Sequence, residues 1–80
     1  ILLITPSKAQ TKLAENVRLR RLDMELTQAG LAERSGVALP TLRKFEQQGA
    51  ISLESLLKIL MVVGGLDEIV KATEPIPAPF

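Results

Sequence analysis

From Leu26 to Gly49 the chain reads LTQAGLAERSGVALPTLRKFEQQG, two short helical patterns with almost no chain between them. This spacing constrains the fold more than any other feature, because so short a connection forces the two helices to cross in contact. Thr27 is placed to cap the first, over about 27–34, and Ser35-Gly36 ends it, Gly36 suiting a left-handed C-terminal position. The second runs over about 39–48. Pro40 lies where a first turn tolerates proline, Leu42 and Phe45 form an inward pair, and Gly49 closes the helix. Ala32, four residues before Gly36, is small enough for close approach. Val37 and Leu42 supply the apolar contacts that fix the crossing angle. The expected product is a rigid elbow with the outer face of its second helix exposed.

The flanking segments are helical too. Lys8 to Asp23 holds no Gly or Pro, and Ser7 with Gln10 reads as a capping box. Leu13, Val17 and Met24 recur at helical intervals, with Leu19 and Leu22 nearby. Arg18, Arg20 and Arg21 gather at the end where cations suit the helix dipole. Ser52 caps a fourth helix, whose apolar stripe is read as Leu53, Leu56, Leu57, Leu60 and Val63. Gly64-Gly65 breaks it, and Leu66–Ala72 forms a fifth. Three alternating prolines make 74–80 an extended tail. Ile1–Ile4 is a short apolar arm or strand. The division expected is an apolar segment over 1–7, a helical domain over 8–72 and a Pro-rich tail over 73–80. The fold class is all-α: a compact five-helix domain with no β framework.

Composition narrows the function. Eighty residues make one domain, and 46% apolar residues are more than a monomer of this size hides easily, which favours self-association. With neither Cys nor His, a zinc site and most nucleophile–base chemistry are not expected. Ser7-Lys8 sits in no nucleophile turn, phosphate loop or metal spacing, so the reading is of a non-enzyme without cofactor or metal. Residues 1–49 carry eight Lys/Arg against five Asp/Glu, while 50–80 carry two against four, so the basic excess lies in the first half. No apolar run nears the roughly 18 residues of a membrane span. Ile1–Ile4 lacks the basic region of a signal peptide, and a reducing, cytoplasmic setting fits.

The stretch resembles the Cro/repressor-like (XRE) helix-turn-helix family through Leu26, Thr27, Gln28, Leu31, Ala32, Gly36, Val37, Leu42, Phe45 and Glu46, with Gly49 slightly displaced. The likeness extends through SLESLLKIL at 52–60 and covers about residues 10–70. It departs at Gly30, where the family usually has Glu; this costs roughly 1 kcal/mol relative to Ala in a helix. Ala38 stands where Ser or Thr usually caps, forfeiting another ~1 kcal/mol. Leu39-Pro40 replaces polar residues where bases are often contacted.

The resemblance implies a lambda-repressor-like domain that binds double-stranded DNA as a homodimer and represses transcription, near the nucleoid. Its third helix would lie in the major groove. The DNA-binding residues it implies are Gln28, Ala38, Leu39, Pro40, Thr41, Arg43 and Lys44, with phosphate contacts from Arg18, Thr27 and Gln48 and from Arg20. Several have a plainer alternative: a solvated Gln28, a solvated charged face for Thr41, Arg43 and Lys44, a mere helix start for Leu39-Pro40, dipole stabilisation for Arg18 and Arg20. Arg21 and Glu46 match a family pair that orients the recognition helix. The dimer surface is expected from Ile1, Leu2, Leu3, Ile4, Ile59, Val63, Leu66, Ile69 and Val70. The leucine-rich fourth helix, the Gly-Leu-Asp segment and the Pro-rich tail also resemble small HipB-like antitoxins, which implies a kinase-like toxin as an alternative partner.

Overall fold

In the computed structural model, which describes residues 4–77, five helices follow one another: α1 (Pro6–Asp23), α2 (Gln28–Ser35), α3 (Leu39–Gln48), α4 (Leu53–Val63) and α5 (Leu66–Ala72). Among the described residues there is no strand. Of the expected terminal arm and tail, Ile1, Leu2 and Leu3 and residues 78–80 lie outside the described residues; 75–77 carry no regular structure.

α1 starts earlier than expected. Thr5, not Ser7, is its cap: the Thr5 side-chain oxygen accepts from the Lys8 amide at 3.1 Å, and Pro6 takes the first helical position. Ser7 is thereby inside the helix. The face that α1 buries is Ala14, Val17 and Arg21, at the i, i+3, i+7 spacing of one stripe. Leu13, Leu19, Leu22 and Met24 fall off that stripe and stay exposed, so the apolar face expected from Leu13 and Met24 is corrected to one centred on Val17.

The α2–α3 elbow is built locally. Thr27 caps α2 by accepting from the Gly30 amide at 3.0 Å, so the cap survives the loss of an acidic partner at Gly30. Gly36 takes φ +75°, its amide bonds back to the Ala32 carbonyl at 3.0 Å, and the Val37 amide donates to the Ser35 hydroxyl at 3.3 Å. Val37 then drops into the core.

That core is centred on Leu31, Leu42, Phe45 and Ile59, with Ala14, Val17, Ala32, Val37, Leu56 and Leu60 around them. α1 and α2 both pack on α3 and α4, and α5 rests on α4. Ile59 is wholly buried, so its expected place on a dimer surface is overturned: α4 rotates Leu56, Ile59 and Leu60 inward and leaves Leu53 in solvent. Val63, Leu66 and Ile69 are half-buried against the same core, and Ile4 and Val70 remain exposed. One monomer thus covers most of the α4–α5 surface expected to need a partner.

Gly49 ends α3 at φ +76° and packs on α1. A Cβ there would sit 3.0 Å from the Gln10 carbonyl carbon and oxygen, whereas a Cβ on Gly36 would meet nothing within 4 Å. Gly36→Ala should therefore lose only the left-handed penalty of about 1–2 kcal/mol. Gly49→Ala should lose more, because rigid backbone must move. At about 4–8 °C per kcal/mol for a domain of this size, thermal melts should rank Gly49→Ala clearly below Gly36→Ala. Equal melting temperatures would contradict the close packing of α3 on α1.

Candidate nucleic-acid interface

α3 has two faces of opposite chemistry. Leu42 and Phe45 point into the core and Leu39 packs partly against it. Pro40, Arg43, Lys44 and Gln47 are exposed, and their i, i+3, i+4, i+7 spacing puts them on one outer stripe. Ala38 is exposed at the helix's leading end and Gln48 at its trailing end. Gln47 is absent from the residues expected by resemblance, although the seven-residue interval from Pro40 is a signal that points to it. Thr41, expected on the outer face, is half-buried. With Lys44 it lines an open hollow whose other wall is Ala50, Ile51, Ser52 and Ser55 at the start of α4.

The acid of α3 is turned away from this stripe. Glu46 accepts from Arg21 through both carboxylate oxygens, Nε to Oε2 at 2.8 Å and Nη2 to Oε1 at 3.0 Å. The side chains are 8% and 3% exposed. Arg21 Nη1 donates in addition to the Leu26 carbonyl at 2.8 Å, and Gln28 Nε2 donates to Glu46 Oε1 at 3.1 Å. This node ties α1, the α1–α2 turn, α2 and α3 together. Among the described residues, no buried side-chain polar atom lacks a partner. Its electrostatic consequence matters as much as its rigidity. Arg43, Lys44 and Glu46 sum to a single positive charge in sequence, but with Glu46 inward and neutralised by Arg21 the outer face presents both cations.

The other candidate residues lie as follows. Gln28 is half-buried at the first position of α2, with its amide already engaged by Glu46. Thr27 is exposed, its oxygen serving as the α2 cap. Arg18 is exposed on α1. Arg20, a candidate for phosphate, instead donates from Nη1 to the Gly64 carbonyl at 2.6 Å, bracing the Gly64-Gly65 junction between α4 and α5. Beside that bond runs a mostly apolar groove lined by Leu13, Val17, Leu60 and Ile69. No helix among the described residues is long and apolar enough to cross a membrane.

A helix-turn-helix family model matches residues 17–69, from the second half of α1 into α5. No curated protein and no solved structure matches the chain.

Proposed function

Since this chain belongs to the Cro/C1-type helix-turn-helix family, a family of DNA-binding regulators, we propose that it is a transcriptional repressor that binds a palindromic operator as a homodimer. The observation that carries this reading is the outer face of α3. It is a rigid stripe of Pro40, Arg43, Lys44 and Gln47, cleared of negative charge by the inward turn of Glu46. α3 enters the major groove, where Arg and Lys serve guanine edges or phosphates. The hollow between Lys44, Thr41, Ser52 and Ser55 is suited to the adjacent backbone, since it joins a cation to hydroxyls at a helix N-terminus. Arg18, Thr27, Gln28 and Gln48 are further backbone contacts in this reading. The DNA-binding unit is residues 5–72, since α1 begins at Pro6 with Thr5 as its cap, and binding to chromosomal DNA puts the protein at the nucleoid.

Two copies related by a two-fold axis would set their α3 helices about 34–36 Å apart, one turn of DNA. The dimer surface in this reading includes Ile4 and Val70, which are exposed, with the half-buried rims of Val63, Leu66 and Ile69. A second reading is favoured by the Pro-rich tail, where Ile76 is 91% exposed: an antitoxin that holds a kinase-like toxin and regulates its own synthesis.

Selection from a random duplex library tests the first reading, with light scattering on the same sample. The expected outcome is an enriched, inverted-repeat site and a mass twice 8.7 kDa. Enrichment of nothing would contradict DNA recognition, and a monomer at micromolar concentration would contradict the dimer.

A further inference from the structure

Two exposed side chains lead α3 into whatever it binds, Ala38 at the cap and Pro40 at the second helical position, and neither holds a hydrogen-bonding group. Pro40 lacks even a backbone N–H. The neighbours do not fill the gap. Leu39 is turned toward the core, and Thr41 is half-buried beside Lys44. The first polar side chains on the outer stripe, Arg43 and Lys44, come nearly a full turn later.

In the major groove each base edge offers donors and acceptors, and thymine adds the C5-methyl. A base donor pressed against the Ala38 and Pro40 side chains would lose water and gain no partner, since the backbone amides left without a side-chain cap at this turn can only donate, to an acceptor such as thymine O4. The methyl gains apolar contact there and leaves nothing unsatisfied.

On the reading that α3 enters the major groove, we propose that Ala38 and Pro40 are specificity-determining residues that select thymine by its C5-methyl. Sequence selection is divided along the helix: methyl contact at the leading turn, hydrogen bonding from Arg43 onward. The proline serves both tasks, since its ring fixes the backbone for a helix start while presenting three ring carbons outward.

Deoxyuridine tests this, because it removes the methyl and leaves the Watson–Crick edge unchanged. In the duplex enriched from a random library, each thymine of the half-site is replaced singly by deoxyuridine, and affinity is measured by fluorescence anisotropy. At one or two positions per half-site affinity should fall about four-fold per methyl, the factor for burying one methylene-sized group. The variant A38G/P40S keeps a tolerated cap and helix start. It should bind thymine and deoxyuridine duplexes equally. A merely structural role for Pro40 would weaken both duplexes alike and keep the wild-type ratio between them, which would overturn the assignment. So would an enriched site indifferent to every deoxyuridine, or a methyl effect abolished by Thr41→Ser and kept in A38G/P40S. These results leave DNA binding by α3 standing. A library that yields no enriched duplex overturns the DNA reading and the assignment together.

Discussion

Glu46→Ala is expected to destabilise the domain by about 3–5 kcal/mol, the range for stranding one member of a buried ion pair. The Arg21 side chain is 8% exposed and makes two of its bonds to this carboxylate. Without it, the guanidinium keeps only the Leu26 carbonyl, and Gln28 loses its acceptor. Small domains have total stabilities near the low end of about 5–15 kcal/mol, so the variant should be largely unfolded at or slightly above room temperature. The double variant R21M/E46L is expected to lose far less than the sum of the single losses, since neither charge is then left alone. Urea denaturation of the four proteins measures this coupling. A Glu46→Ala loss below about 0.5 kcal/mol, typical of an exposed pair such as Lys12 with Glu15, would contradict the node as the structure presents it.

The second large effect falls on affinity instead of stability. Arg43→Ala with Lys44→Ala should weaken binding to the selected duplex roughly hundred-fold, at about a factor of ten for each lost contact. Both side chains are exposed, and the melting temperature should stay within a few degrees of the parent. For each cation that meets a phosphate, the slope of log affinity against log salt should flatten by about one. A double variant that binds as tightly as the parent, with an unchanged slope, would remove α3 from the interface.

The elbow was legible in the sequence because its determinants are local. Gly36 and Gly49 each occupy a backbone conformation that favours glycine, and Thr27 and Ser52 cap the helices that follow them. The pairing of Arg21 with Glu46 is of another kind. The two are 25 residues apart, and only the likeness to a known family pointed to it. That pair also explains why the apolar pattern of α1 misleads: its buried stripe contains an arginine, which no such pattern reveals, while Leu13, Leu19 and Leu22 within the helix and Met24 at its C-cap face solvent. α4 failed for the opposite reason. Its sequence LESLLKILMVV is apolar nearly all round, so periodicity leaves the phase open, and packing of α4 on α2 and α1 selects Ile59 over Leu53. At the start of α1, Ser7 with Gln10 competed with Thr5-Pro6, and the preference of proline for the first helical position decided between them.

The central claim is that the outer face of α3 is the surface that meets DNA. Amide chemical-shift mapping during titration with the selected duplex tests it most directly, because it reports every element at once. The largest perturbations should fall on Ala38, Leu39, Thr41 to Lys44 and Gln47, with smaller ones at Thr27, Gln28, Ser52 and Ser55. Leu13, Val17, Gly65 and Ile69, around the groove between α1 and α5, should move little. The reverse pattern, with that groove perturbed and α3 silent, would contradict the account.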